Sequence, residues 1–229
     1  TYEQGNMYLD PEKATKVDLS YNFSSQAVNL FVNGYLSHTT DYISQMTKMD
    51  NDRLITTYAN ADSDIKRGGE VSLKVTPAKW MNFSVGANTY YVTTEGVFEG
   101  MHIDNQGWTN NSNLLLDFVP WKGGNLQLQY FITTPQYYPQ LTTSLTHQMN
   151  MGIKQRFMKG AMTASILVTD VLNTAKWDVW SNNSLFNLKN SSTNKSRMIW
   201  LGVSYNFNSF KQKSNQKAET DRSLIKLGL

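Results

Sequence analysis

Nine segments of the chain alternate apolar and polar side chains with a period of two residues. In residues 197–207, for example, the apolar side chains of Leu201, Val203 and Tyr205 are separated by small or polar residues. Because successive side chains of a strand point to opposite faces, each segment predicts a strand with one apolar and one polar face. The nine predicted strands cover residues 16–23, 28–37, 70–75, 82–91, 113–118, 125–132, 145–157, 162–169 and 197–207.

The connections between the predicted strands alternate between short and long. The short turns follow Phe23, Val75, Phe118 and Phe157, and the polar stretches 38–68, 93–113 and 170–195 are predicted to be long loops. Outer-membrane barrels combine short periplasmic turns with longer extracellular loops in this way. The pattern therefore predicts an all-β fold, the wall of an antiparallel up-and-down transmembrane β-barrel. An aromatic girdle is expected beside the short turns: Phe23, Trp80, Phe118, Trp121, Phe157 and Phe207.

The number of predicted strands bears on whether the barrel closes. If the short turns are periplasmic, the first and ninth strands run in the same direction, whereas a closed antiparallel sheet needs them to run oppositely. We therefore expect an incomplete part of a larger barrel, and the absence of an export signal at Thr1 favours a piece of a longer protein. The expected organisation is an irregular extracellular segment at 1–13, barrel strands at 14–210 and a polar periplasmic tail at 211–229.

The composition excludes several classes of function but does not identify one. The chain has 229 residues and a net charge of +3 with mixed signs, so no strongly charged field indicates a nucleic-acid partner. It contains no cysteine, which excludes disulfides and thiol chemistry. No apolar run approaches the roughly 20 residues of a membrane helix, so a membrane role would have to use strands. Because one face of each membrane strand would meet water, a membrane β-barrel can have a mean hydropathy as low as the -0.46 of this chain.

Catalysis and metal binding have little support in the sequence. The three histidines have no ligand-like spacing: His38, His102 and His147. Residues 60–64 carry the alternating oxygen ligands that open a calcium loop, but Ile65 stands where glycine is needed and Val71 where the closing glutamate is needed. No phosphate-cradling glycine motif and no Ser-His-Asp arrangement is present. We therefore predict no catalytic residue, no metal site and no cofactor.

Ligand binding is more plausible in the predicted loops, because binding residues tend to lie on loops above a rigid scaffold. Aromatic side chains there could stack on a sugar or another ring, or could simply pack at the rim: Tyr42, Trp108, Tyr137, Tyr138, Trp177 and Trp180. The predicted polar face suits a wet lumen or one filled by a plug. It carries Lys16, Asp18, Glu70, Lys74, Gln127, Gln129, Lys154 and Arg156.

Four local patterns resemble those of TonB-dependent outer-membrane receptors. Residues 5–12 resemble their Asn-Pro-x-Leu-x-Pro-Glu segment, with Met7 in place of the first proline. Residues 69–73 resemble the Gly-x-Glu-Leu start of a descending strand, without its spacer residue, and residues 168–174 resemble an Asp-Leu-Phe-Asn-Thr segment. The final strand is similar to the C-terminal signal read by the barrel assembly machinery, through Gly202, Tyr205 and Phe207.

The closest resemblance is to the C-terminal barrel portion of Bacteroidetes-type receptors of this kind. It implies location in the outer membrane, nutrient uptake and a barrel of about 22 strands, of which this chain would form the last nine. It also implies contacts with membrane lipid and the assembly machinery, and with the TonB system and a surface lipoprotein through missing N-terminal parts. Two alternatives remain open: a structural or adhesive barrel that does not transport, and a soluble β-sandwich binding module.

Overall fold

The computed structural model describes residues 2–51, 53–193 and 195–207, and these are almost entirely strands and turns. Among these residues, no helix has the length and hydropathy to cross a membrane. A 3-10 turn lies at Met158–Gly160. The strands are β1 (Tyr2–Glu3), β2 (Lys13–Ser24), β3 (Val28–Asp50), β4 (Arg53–Ala78), β5 (Met81–Phe98), β6 (Met101–Phe118), β7 (Gly124–Thr133), β8 (Thr142–Thr143), β9 (Thr146–Phe157), β10 (Met162–Thr169), β11 (Lys176–Asn182), β12 (Asn187–Thr193) and β13 (Met198–Tyr205).

Nine of these strands form one antiparallel sheet. Their order is β13-β10-β9-β7-β6-β5-β4-β3-β2, and the short β1 joins the sheet by pairing in parallel with β4. The strand number and the antiparallel arrangement confirm the sequence prediction. Within the described part of the chain, the outer edges of β2 and β13 pair with no further strand, so the sheet is an open wall. A separate small sheet has the order β12-β11-β8.

The pairing register brings the predicted apolar side chains onto one face, called here the apolar face. One row runs across eight neighbouring strands: Val28, Val75, Phe83, Leu116, Leu128, Met151, Val168 and Ile199. No second layer of described residues covers the ends of this face, because Val17 is 65% exposed and Leu201 is 77% exposed. A sandwich strand would bury such side chains against a second sheet. The exposed band is what a lipid-facing barrel wall requires.

The opposite face, called here the polar face, is held together by side-chain hydrogen bonds and ion pairs. Lys16 and Asp18 form an ion pair at 3.0 Å, and the Asn33 amide donates to the same carboxylate at 3.2 Å. On β7 the Gln127 amide donates to Asp117 on β6 at 3.1 Å. The register places all the residues predicted to face inward on this side. The alternation along the sequence therefore identified both faces correctly.

The four predicted short turns lie at one end of the sheet, between β2 and β3, β4 and β5, β6 and β7, and β9 and β10. Aromatic side chains mark this end. The rings of Trp80 and Phe118 stack with centroids 6.4 Å apart, and Trp121 Nε1 donates to Gln155 at 2.6 Å. Trp80 and Phe157 remain about half exposed. The grouping agrees with the girdle expected at a membrane boundary.

The prediction of long polar loops at 38–68, 93–113 and 170–195 was wrong, because the first two regions are mostly strand and the third contains β11 and β12. β3 and β4 continue to a hairpin near residue 51, and β5 and β6 meet at a tight turn. That turn uses Glu99 and Gly100, whose φ angles of 50° and 76° suit a two-residue hairpin. At about 3.3 Å per residue, the 26 residues of β4 span roughly 85 Å. About 9–11 residues suffice to cross a membrane, so much of this hairpin projects beyond it.

The apolar face ends at a defined row, which explains why the sequence did not reveal the strand extensions. Arg67, Tyr91 and Trp108 lie side by side in this row. Beyond it the same face carries polar and charged residues, including Glu95 directly opposite Asp104. Where the outer face of a strand meets water instead of lipid, the ladder hydrogen bonds persist but that face no longer needs apolar side chains. The period-two pattern of apolar residues on this face therefore ends at the row, although the strands continue.

The segment before β2 is not wholly irregular, since β1 pairs with β4 and Lys13 already belongs to β2. Residues 4–12 connect β1 to β2 and are held by hydrogen bonds to β3 and β4. Asn60 donates to the carbonyl oxygens of Asp10 at 2.9 Å and Asp41 at 2.6 Å, and the Ile43 N–H donates to Glu12 at 3.2 Å. The segment that resembles the receptor motif is therefore an ordered connection that is hydrogen-bonded to β3 and β4. Residues 208–229, which include the predicted tail, lie outside the described residues.

Candidate functional site

A cavity of about 450 Å³ lies on the side of the polar face, beyond the level at which the apolar face ends. The extended parts of β3 and β4 line one side, and the other is formed by the ends of β7 and β9, the 134–145 connection and β11. Its aromatic and apolar lining includes Tyr42, Tyr58, Tyr138, Leu141, Trp177 and Val179. Serine, threonine and glutamine supply the rest of the lining, with one further isoleucine, and none of the lining residues is charged.

The 134–145 connection is held against the wall by three specific contacts. The Gln140 amide makes two hydrogen bonds with the backbone of Thr47, at 2.6 and 3.0 Å. Asn105 Nδ2 donates to the carbonyl oxygen of Tyr138 at 2.6 Å. The Tyr137 ring occupies the space that a Cβ on Gly107 would fill. These contacts fix the cavity wall that Tyr138 contributes.

An apolar cluster beside the cavity provides a local core. It contains Met46, Ala61, Phe98, Met101 and Ile103, all buried. Leu185, between β11 and β12, packs against the cluster, which anchors that hairpin to the extended strands. Sequence reasoning missed this core because its residues lie in stretches that were interpreted as loops. The alternation of Phe98, Met101 and Ile103 with polar residues is the only local signal that could have indicated it.

A partly buried ion pair lies close to Tyr42. Lys66 Nζ is 2.8 Å from one Asp64 oxygen, and Thr94 donates to the other at 2.7 Å. The Lys66 ammonium is also 5.6 Å from the centre of the Tyr42 ring. The Asp64 carboxylate is therefore occupied by protein donors and is not available to a cation. No group of three or more metal-ligating side chains occurs in the described residues.

Tyr42 itself follows a break in the backbone of β3. Asp41 has a φ of 54°, and this left-handed conformation turns the Tyr42 side chain to the same side as Lys66. Burial raises the pKa of the Tyr42 phenol, outweighing the nearby Lys66 ammonium, which lowers it. The phenol is therefore protonated at neutral pH and can donate a hydrogen bond into the cavity.

The six aromatic residues predicted to bind a ligand lie in four different environments. Tyr42, Tyr138 and Trp177 line the cavity, and Trp180 lines a second cavity of about 220 Å³. Tyr137 packs on Gly107, and Trp108 lies on the apolar face with its ring edge against Tyr91, 5.5 Å away. Their placement on loops was wrong for Tyr42, Trp108, Trp177 and Trp180, which are strand residues. Their role in binding stays a prediction.

Asp170, in the segment 168–174, is a buried residue that organises the turn after β10. The Asp170 carboxylate accepts hydrogen bonds from the backbone N–H groups of Thr174 at 2.9 Å and Ala175 at 3.2 Å, and from the Ser196 hydroxyl. Burial raises the pKa of this carboxyl, but these hydrogen bonds and the nearby Arg197 outweigh burial and lower its pKa below the ordinary value. The segment joins the end of β10 to the start of β13, and thereby positions the β11–β12 hairpin.

The residues predicted to form an assembly signal lie at the short-turn end of β13. Gly202 lies opposite Ser165, and an added Cβ would meet the Ser165 hydroxyl. Tyr205 lies opposite Met162 and contacts Phe207 edge to face, with centroids 4.8 Å apart. Recognition of these residues by the assembly machinery stays a prediction.

Sequence comparison agrees with the geometry of the wall. A model of the outer membrane protein beta-barrel family matches residues 1–205, which is most of the chain. A search of curated proteins gave no significant match. The matched region contains all nine strands of the main sheet, the exposed apolar face and the aromatic end. The chain is therefore a member of the outer membrane protein beta-barrel family, and its location is the outer membrane.

Proposed function

We propose that this chain forms part of the barrel wall of an outer-membrane receptor of the TonB-dependent type, which takes up a nutrient. The observation that carries the proposal is the cavity on the side of the polar face, enclosed by the 134–145 connection and β11. Small-molecule sites are concave, largely apolar and about 300–1,000 Å³ in volume, and this cavity fits that description. A wall that served only as a membrane anchor would not need such an enclosed site.

The two faces of the sheet suit this role. The apolar face contacts lipid, and the polar face lines the route of the solute. With the short turns in the periplasm, the cavity and the tall hairpins of β3–β4 and β5–β6 lie on the extracellular side. A solute arriving from outside would thus meet the cavity before it reached the membrane-spanning part of the wall.

Closure of the barrel requires strands outside this sheet. A spanning sheet cannot leave unpaired edges in lipid, because unsatisfied backbone groups cost several kcal/mol each. β2 and β13 run in the same direction and stand at the two edges, so an odd number of further antiparallel strands would close the wall. A barrel of about 22 strands meets this condition, and its lumen is wide enough to hold a plug.

The proposed role is binding and passage of a solute, and it includes neither catalysis nor nucleic-acid binding. The proposed partners are membrane lipid at the apolar face and the assembly machinery at Gly202, Tyr205 and Phe207. Energy coupling would come from the TonB system, and a surface lipoprotein could bind above the barrel. Both of these contacts would be made through parts of the protein outside this sheet.

Energy coupling can be tested without knowing the solute. The chain has no cysteine, so a single introduced cysteine is the unique thiol of this part of the protein. Gln129→Cys, on the polar face, should react with a membrane-impermeant maleimide at different rates in energised cells and in cells treated with a protonophore. Asp50→Cys, at the tip of the β3–β4 hairpin, should react equally in both and serves as the control. Equal rates for Gln129→Cys would reject energy-coupled transport.

An adhesive barrel is the second candidate, and the length of the β3–β4 hairpin favours it. A hairpin that extends well beyond the membrane presents an exposed surface, which includes Met49 and Tyr58. Shortening this hairpin by deletion of residues 46–57 should abolish attachment of cells to a surface if adhesion is the function. It should leave the maleimide reaction of Gln129→Cys energy-dependent if transport is the function.

A further inference from the structure

The absence of charged side chains from the lining of the 450 Å³ cavity restricts the ligands that it can accept. All of its lining residues are uncharged, and the ion pair of Asp64 with Lys66, close to Tyr42, is satisfied within the wall. Moving a charged group from water into such a site is unfavourable unless an opposite charge meets it. The cavity is therefore suited to a neutral ligand.

Aromatic rings supply flat contact surfaces on opposite sides of the cavity. Tyr42 belongs to β3, whereas Tyr138 belongs to the 134–145 connection and Trp177 to β11. Tyr138 is 48% exposed and Trp177 is 46% exposed, so both rings are available for contact. The face of an aromatic ring is electronegative and attracts polarised C–H groups. The C–H face of a sugar ring has this character and this flat shape.

The cavity also presents polar groups that have no partner among the described residues. They are the hydroxyls of Ser44, Tyr42, Tyr58 and Tyr138, the Gln45 amide and the Trp177 indole N–H. Hydroxyl and amide groups both donate and accept hydrogen bonds. A purely apolar ligand would bury these groups unsatisfied, at a cost in free energy. A ligand rich in hydroxyl groups would satisfy them.

We propose that this cavity binds an uncharged saccharide, with Tyr138 and Trp177 stacking on sugar rings and Gln45 and Ser44 bonding their hydroxyls. The inference rests on the proposed function, and it adds the chemical class of the solute. The free volume is large enough for a small-molecule ligand and too small for a folded partner. Specificity for neutral sugars follows from the uncharged lining.

The test uses the protein purified from outer membranes in detergent. Maltose, cellobiose, lactose and xylobiose are titrated by calorimetry and tryptophan fluorescence, with cellobiouronic acid as the charged analogue. At least one neutral disaccharide should bind saturably, and the charged analogue should bind at least about tenfold more weakly. Binding of none of the four, or equal binding of the charged analogue, would overturn the proposal.

A matched pair of variants assigns the binding to this cavity. Trp177→Ala should weaken the affinity for the best disaccharide by about tenfold, through the loss of one aromatic contact. Trp180→Ala, on the same strand but lining the other cavity, should leave the affinity unchanged. Equal affinities of the two variants would show that the sugar binds elsewhere, and would also overturn the proposal.

Different experiments would reject the proposal of a saccharide site and the proposal of transport. Saturable binding that depends on Trp177, together with energy-independent labelling of Gln129→Cys, would support the site and reject transport. Energy-dependent labelling without binding of any of the four disaccharides would support transport and reject the saccharide.

Discussion

The side chain of Gln140 pairs with the backbone of Thr47 as a neighbouring strand would. The Thr47 N–H donates to Gln140 Oε1 at 2.6 Å, and Gln140 Nε2 donates to the Thr47 carbonyl oxygen at 3.0 Å. The two residues are 93 positions apart in the sequence, and Gln140 is buried. One amide therefore fastens the 134–145 connection to the inner wall beside the cavity.

Replacing this amide should loosen the connection without dismantling the sheet. Gln140→Leu leaves both backbone groups of Thr47 unpaired, which costs about 1–3 kcal/mol. Amide hydrogen exchange in residues 134–145 should accelerate, while exchange in β7 and β9 stays unchanged. Gln26→Ala, an exposed glutamine in the turn between β2 and β3, is the control. Unchanged exchange in Gln140→Leu would mean that the pairing does not hold the connection.

Gly107 and Tyr137 offer a second test of the same wall. Gly107→Ala should displace the Tyr137 ring, because the new Cβ would occupy its position. Overpacking of this kind costs about 1–3 kcal/mol, which a chemical or thermal unfolding curve can measure. Gly34→Ala, at a strand position with no atom nearby, should cost nothing measurable. Adding Tyr137→Ala to Gly107→Ala should recover most of the loss, and failure to recover would place the strain elsewhere.

The assignment of the two faces predicts opposite outcomes for two arginine substitutions on β13. Leu201→Arg places a charge on the lipid-facing side, at a cost of about 2–4 kcal/mol if it lies near the bilayer midplane. The fraction of protein that shows folded, heat-modifiable migration on gels should fall. Ser204→Arg, on the polar face, should assemble nearly as the unmodified protein does. Equal tolerance of both substitutions would contradict the assignment.

The lowered pKa of Asp170 predicts acid sensitivity of the turn after β10. A carboxyl whose folded pKa lies below its ordinary value of 3.8 stabilises the fold fully above that value, and this stabilisation is lost as pH falls through the folded pKa. Intact cells or purified protein at pH 3 should therefore show faster exchange of the Thr174 and Ala175 amides than at pH 6, after correction for intrinsic rates.

Two variants isolate the contribution of the charge at this turn. Asp170→Asn should open the turn already at neutral pH and remove most of the acid-dependent change. Asp178→Asn, on β11, should retain it, because the hydrogen bonds that Asp178 makes with described residues use its backbone. An unchanged pH profile in Asp170→Asn would show that another group controls the turn.

The strands that cross the membrane could be predicted because lipid on one side imposes a period of two. Val17, Leu126 and Ile199 were placed on one face by their sequence positions alone, and the pairing register agrees. The strand extensions could not be predicted in the same way. Beyond Arg67 and Trp108 the outer face meets water instead of lipid, so neither Glu95 nor Asp104 violates a hydrophobic pattern by lying in a strand.

The site was predictable only as a list of residue types. The aromatic composition of the supposed loops named Tyr42, Tyr138 and Trp177, which do line the cavity, but it named Trp108 equally, which lies on the other face. The reversal at Asp41 decides where Tyr42 points, and a positive φ at a single aspartate leaves no reliable mark in the sequence. The contact of Gln140 with Thr47 has no local signal either.

The amino-acid sequence by itself determined the nine crossing strands, their two faces and the aromatic end, because each follows from interactions with lipid or water that every strand makes separately. The tertiary structure alone decided how far β3 to β6 extend, which loop residues meet and where the cavity lies. These features depend on contacts between residues far apart in the chain, and such contacts form only after the register of the sheet has brought the strands together.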